Sequence, residues 1–186
     1  MVKKILVVVD AQQEFITGAL GSKECVAAVP NIVKEINSGD YEKVIVTQDT
    51  HGADYLDTQE GKRLPVIHGQ EGTEGYQIHP DIVAALKANF KDEDVYVIKK
   101  PTFGSLDFGK LLKELYDKMS GKDTEVEVCF TGFCTGICVI SNVVIAKTFC
   151  SEARLYVIAK ACACVTPETH QTALNAMTTF QVGILN

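Results

Sequence analysis

Tryptophan is absent from this chain of 186 residues, as are any run of lysine and arginine and any apolar stretch long enough to cross a membrane. Without an indole, the aromatic wall of any ligand pocket has to come from phenylalanine or tyrosine. Without a basic stripe, and with a net charge of −6, a phosphate backbone finds no complementary surface, so nucleic acid is not an expected partner. A membrane-spanning helix needs about 20 apolar residues, whereas the N-terminal run from Ile5 stops at Asp10. That run is also too short for the apolar core of a secretory signal, so no membrane association and a cytoplasmic location are expected. Internal repeats, low-complexity tracts and linkers are missing too, and a content of 46% hydrophobic and 23% charged residues fits one globular domain over residues 1–186. Cysteine is plentiful. There are seven, an odd number without a secretory signal, which fits reduced thiols better than a disulfide framework.

Apolar runs with β-branched residues recur at Ile5–Val9, Val44–Val46, Val95–Ile98, Val126–Phe130 and Leu155–Ile158, with a last short run at Val182–Leu185. Near-continuous apolar character marks strands covered on both faces, as in a parallel sheet. Helix-like stretches alternate with them at Lys23–Asn37, Pro80–Asn89, Gly104–Met119, Cys134–Cys150 and Pro167–Thr179. The alternation predicts a doubly wound, three-layer α/β/α fold on a mainly parallel six-stranded sheet, Rossmann-like in outline. One connection is far longer than usual. Residues 49–80, rich in Gly, His and acidic side chains, read as a functional loop.

In an open parallel sheet, ligands bind beyond the carboxyl ends of the strands, and reactive side chains collect there. Asp10 ends the first strand, Asp49 and His51 follow the second, Lys99 and Lys100 end the third, and Cys134 and Cys138 follow the fourth in GFCTGICVIS. A thiol at the start of a helix is favoured as a thiolate by the orphan N–H groups there. An ammonium lowers a thiol pKa further, and a carboxylate can take the thiol proton and return it to a leaving group, a combination suited to acyl transfer from an amide. Each residue also has a bland reading: Asp10 as a loop cap, Lys99 and Lys100 as solvated strand ends, and both cysteines as core. Asp49, His51 and His68 offer one carboxylate and two imidazoles, a set suited to Zn²⁺ or another first-row divalent ion. His79 before Pro80 is expected to shape a helix entry and His170 to lie exposed on a helix. Cys162 and Cys164 have no zinc-ribbon spacing with Cys134 and Cys138 and read as packing. Thr166-Pro167 reads as a helix start.

From Asp10 to about Met177 the chain resembles the isochorismatase-like cysteine hydrolases, and within them the nicotinamidase-related amidases. D-x-Q-x-D-F reads here as DAQQEF, K-x-x-[FY]-[GS] as KPTFGS, and G-x-C-T-x-x-C as GFCTGIC, while ACACVTPETH is similar to the family's ACAGVTPE. The resemblance implies Asp10 as general base and acid, Lys100 as the active-site lysine and Cys138 as nucleophile. It also implies a cis peptide between Phe133 and Cys134, which aims the backbone N–H groups of Cys134 and Cys138 into an oxyanion hole. In the amidase branch it implies a divalent metal on Asp49, His51 and His68, with Glu60 as a possible direct or water-mediated contact; Zn²⁺ is the first candidate and Fe²⁺ or Mn²⁺ the others. The chain departs from that branch where Glu14 replaces Asp and where LPVIHG replaces W-P-x-H-C.

The resulting expectation is an amidohydrolase that cleaves a small carboxamide, nicotinamide first, through a thioester, with Phe15 and Phe103 walling the pocket. No organic cofactor is expected, and the family implies a homodimer or homotetramer. The competing readings are hydrolysis of another small amide, a carbamoyl compound or an isochorismate-type vinyl ether. From a different class, the scaffold could serve as a redox sensor using Cys134 and Cys138.

Overall fold

The computed structural model describes residues 1–186. Six strands form one sheet: β1 (Val2–Val9), β2 (Lys43–Asp49), β3 (Val95–Lys100), β4 (Glu125–Phe133), β5 (Arg154–Ala163) and β6 (Gly183–Leu185). Their order is β3-β2-β1-β4-β5-β6, and every neighbouring pair is parallel. Seven helices flank the sheet: α1 (Gln13–Ile16), α2 (Lys23–Ile36), α3 (Gln59–Arg63), α4 (Pro80–Asn89), α5 (Leu106–Met119), α6 (Ile140–Phe149) and α7 (Pro167–Thr178).

The continuous apolar run of β1 is explained by the two cores it separates. Ile5, Val7 and Val9 point into a cluster with Phe108, Leu112, Phe130 and Val143, which α5 and α6 cover. Leu6 and Val8 point into the opposite cluster with Cys25, Val29, Ile32 and Ile82, covered by α2 and α4. Successive strand residues face opposite sides, so only a strand apolar at every position can serve both cores. The covering helices carry apolar residues at helical spacing: Cys25, Ala28, Val29, Ile32 and Ile36 on α2, and Phe108, Leu112, Leu115 and Met119 on α5. Side chains of Ser22, Ser105 and Thr166 cap α2, α5 and α7 by accepting a hydrogen bond from the backbone N–H three residues on.

Several elements differ from the sequence expectation. β4 runs on to Phe133 and β5 to Ala163, through small residues with weak strand character. The helix expected from Cys134 begins instead as one π turn, Thr135–Val139, before α6. The loop 49–80 holds the short α3, whose polar sequence QEGKR has no apolar period to announce it. No helix is long and apolar enough to cross a membrane.

Strand order reverses between β1 and β4, since the chain adds β2 and β3 on one side of β1 and β4, β5 and β6 on the other. A crevice opens beyond the carboxyl ends at such a point.

Candidate active site

Asp10, Asp49, Lys100 and the turn carrying Cys138 meet at that crevice because each follows or ends a neighbouring strand. Asp49 and Lys100 are register partners across β2 and β3. On the other side of β1, Val9 pairs with Gly132, at a contact so close that a Cβ on Gly132 would lie 2.0 Å from the Val9 carbonyl oxygen. Gly132 also has φ +109°, a conformation that favours glycine. The Phe133–Cys134 peptide is cis, and the π turn follows directly.

Lys100 is completely buried. Its Nζ lies 2.6 Å from Asp10 Oδ2, 3.1 Å from Asp49 Oδ1 and 3.6 Å from Cys138 Sγ. Asp10 is no helix cap: it adopts φ +45°, its backbone N–H donates to Thr47, and its Oδ1 accepts from the Thr47 hydroxyl at 2.7 Å. Its Oδ2 is buried without an aligned hydrogen bond, despite the nearby ammonium. That oxygen is held as the ion-pair partner of Lys100. Lys99, the alternative lysine, is exposed and pairs with Glu71 at 2.7 Å.

The charges of this cluster set its protonation. Burial opposes the charge on Lys100, but the carboxyl groups of Asp10 and Asp49 push its pKa up, so it remains an ammonium. Burial pushes the Asp10 carboxyl up, and Lys100 pulls it partly back. Burial also pushes the Cys138 thiol well up, the Asp10 charge adds to the rise, and Lys100 only partly offsets it. Burial is thus the largest influence on the Cys138 thiol, and it acts against the thiolate that a helix start and a lysine favour.

A second constellation shares Asp49. Its Oδ2 lies 2.9 Å from His51 Nε2 and 3.3 Å from His68 Nε2, while Glu60 Oε1 is 3.7 Å and 3.9 Å from the same nitrogens. His51 Nε2 is buried with no aligned hydrogen-bond partner, beside the Asp49 carboxylate. His68 Nδ1 contacts the Val66 carbonyl oxygen at 2.7 Å, which as a donor leaves Nε2 free to ligate. A tetrahedral ion with bonds of about 2.0–2.1 Å separates its ligands by about 3.3 Å. The donor atoms of Asp49, His51 and His68 therefore suit a divalent cation, all lying within 4.8 Å of one another. Glu60 stands slightly wider.

Four supporting residues went unrecognised in the sequence. Gln12 clamps the end of β2 by accepting from Asp49 N–H at 2.7 Å and donating to the Asp49 carbonyl at 3.0 Å. Glu14 accepts from Gly69 N–H at 2.9 Å and so holds the residue after His68. Tyr55 is buried against both imidazoles, with ring centroids 4.5 Å from His51 and 4.8 Å from His68. Asn142, fully buried on α6, donates to the carbonyls of Cys138 and Phe103 and accepts from Ser105 N–H. The alternation Asp10, Gln12, Glu14 was a signal for the first two; a single Asn within a helix gives none.

Both constellations open on one cavity of about 350 Å³, within the size range of small-ligand sites. Asp49, Glu60, His68, Cys134 and Cys138 line it together with Phe15, Leu20, Leu64, Phe103, Phe133 and Ile137. Phe15 meets His68 edge-on at 5.7 Å, whereas Phe103 is 43% exposed at the rim. Away from the cavity, His79 accepts from Asp81 N–H as the cap of α4. His170, expected to be exposed, is half-buried and hydrogen-bonded to the Thr135 hydroxyl at 2.8 Å, because α7 packs its first turn against the π turn.

The sheet with its strand-end crevice is that of an isochorismatase-like hydrolase fold, since the isochorismatase domain matches residues 4–185 of the chain. The chain belongs to the isochorismatase family. No curated protein matches it by sequence. Among solved structures, it is similar to the nicotinamidase/pyrazinamidase of Bacillus subtilis, at 24% identity over 99% of this chain and 100% of that one, with a TM-score of 0.81. The pyrazinamidase/nicotinamidase of Streptococcus mutans aligns at 23% identity over 98% and 100%, with a TM-score of 0.80. The pyrazinamidase of Pyrococcus horikoshii, solved in complex with zinc, aligns at 20% identity over 99% of each chain, with a TM-score of 0.74.

Proposed function

We propose that this protein is a cysteine amidohydrolase acting on a small carboxamide, with nicotinamide the first candidate. The observation that carries the reading is the buried Asp10–Lys100–Cys138 cluster, joined through Asp49 to His51 and His68, beside an apolar cavity that Cys138, Asp49 and His68 line. Asp10 Oδ2 takes the thiol proton as Cys138 Sγ attacks the carbonyl carbon, and the Lys100 ammonium stabilises the sulfur charge that develops. The C–S bond forms and the carbonyl oxygen becomes an oxyanion, held by the backbone N–H groups of Cys134 and Cys138. Such donors contribute about 3–4 kcal/mol each in other acyl-transfer enzymes. Asp10 then returns the proton to the departing amine, ammonia leaves, and Asp10 activates water to cleave the thioester. A divalent ion held by Asp49, His51 and His68, with Glu60, would supply a Lewis acid that takes a substrate lone pair. The ring of a pyridine carboxamide offers such a lone pair, and Phe15, Leu64 and Phe133 offer its faces an apolar enclosure. Leu64 stands where the amidase pattern has tryptophan, so the enclosure is aliphatic on that side.

The test is ammonia release from nicotinamide, pyrazinamide and aliphatic amides, with Cys138→Ala as control. Turnover should fall by at least about 10⁴-fold in that variant while its melting temperature stays close to that of the parent. Residual activity near the parent's would end the thiol mechanism. Failure of every amide, with cleavage of a vinyl ether, would move the protein to the other branch of its family.

A further inference from the structure

Besides the nucleophile, the cavity wall carries three further thiols, those of Cys25, Cys134 and Cys164. Two of them belong together. Phe133 and Ala163 are register partners on β4 and β5, so Cys134 and Cys164 are the next residues of two adjacent strands. Neighbouring strands run about 4.8 Å apart, inside the Cα separation of about 4.4–6.8 Å that a disulfide needs. Both side chains also face the same cavity, and each shifts the other's titration, Cys134 upward and Cys164 downward.

Their surroundings differ. The Cys164 sulfur lies near the backbone N–H groups of Gly136 and Val165 and the Thr169 side chain, each of which favours its anion. A Cβ on Gly136 would lie 3.4 Å from it, in ordinary contact. The sulfur thus sits between the first turn after β4 and the start of α7, two places that present N–H groups to an anion. These neighbours, Cys134 foremost, draw its pKa down to about 5. Burial instead pushes the thiols of Cys25, Cys129, Cys150 and Cys162 up. The neighbouring Cys164 and then burial raise the thiol of Cys134.

We propose that Cys164 and Cys134 are a peroxide-reactive thiol pair that closes to a disulfide in the wall of the cavity. The Cys164 thiolate attacks one oxygen of hydrogen peroxide; an S–O bond forms, the O–O bond breaks, and hydroxide leaves and is protonated to water. The sulfur of Cys134 then attacks Cys164. An S–S bond forms, the S–O bond breaks, and a second water carries away the Cys134 proton. Two thiols lose two electrons to one peroxide, and a dithiol reverses the change. Because Cys134 directly precedes the turn that carries Cys138, the bond would tie that turn to the end of β5. The sequence pointed to Cys134 with Cys138 as a redox pair, but Cys138 faces Lys100 and Asp10 instead. This inference does not depend on the amidase reading, since its readouts are thiols and masses.

The experiment exposes the reduced, full-length protein to a small excess of hydrogen peroxide, blocks free thiols in denaturant, and locates the products by tandem mass spectrometry. Two of the seven thiols should disappear, a Cys134–Cys164 cross-linked peptide should form, and dithiothreitol should remove it. Cys164→Ser should keep its remaining thiols at the same dose, and Cys134→Ser should stop at a dimedone-reactive sulfenic acid on Cys164. In the unmutated protein, which must show the cross-link whether or not either variant folds, a Cys134–Cys138 bond, first oxidation at Cys138, or no loss of thiols would overturn the proposal.

Discussion

At Asp10 two opposed effects meet. Burial favours the neutral acid, while Lys100 Nζ at 2.6 Å favours the carboxylate, and the balance leaves the pKa raised. A base that must accept the Cys138 proton works only when ionised, so kcat/KM should fall as pH drops through that raised pKa. The acid limb should therefore lie above the ordinary aspartate value of about 3.9. A profile flat down to that value would show that the proton goes elsewhere. Asp10→Asn should lower kcat by about 10²–10⁴-fold and abolish that limb. The candidate residues were legible because each terminates an apolar run, which the sheet then places at one edge. Their protonation was not legible: the sequence puts a lysine and a helix start near Cys138, but only the packed structure shows that burial pushes the thiol the other way.

At the scale of elements, Asn142 ties three pieces of chain together: α6, the Cys138 turn and the loop entering α5. Replacing it with leucine leaves the buried Ser105 N–H without a partner, which costs about 1–3 kcal/mol. Urea unfolding should show a lower midpoint at an unchanged slope, and kcat should fall as the turn loosens; an unaltered midpoint would show that water or a shifted side chain replaces the amide. The principal strands and helices followed from periodicity of apolar residues. Where the residues are small, as in Ala161, Cys162 and Ala163, or polar, as in Gln59–Arg63, periodicity gives no signal, and the ends of β5 and the whole of α3 depend on tertiary contacts.

For the whole molecule, the metal-ligand set connects the β2 end to a loop that otherwise has little core of its own. An ion bound only to the folded state at about 100 times its dissociation constant stabilises it by about 2.7 kcal/mol. In a chain of this size that corresponds to a rise of roughly 5–10 °C in Tm. Chelation should reverse the rise, and His51→Ala should be insensitive to chelator and lack bound metal on elemental analysis. Equal metal content in that variant would remove His51 from the site.

Asp49 gives one oxygen to Lys100 and the other to the imidazoles. A single carboxylate thus serves the Lys100 ammonium and would also serve an ion on the imidazoles, and its charge density cannot fully serve both. By reciprocity, whatever binds one side more tightly weakens the hold on the other by the same free energy. Lys100→Met should therefore grip a divalent ion more strongly than the parent in competition with a chelator. The proton inventory around Cys138 becomes responsive to an ion that the sulfur never needs to touch.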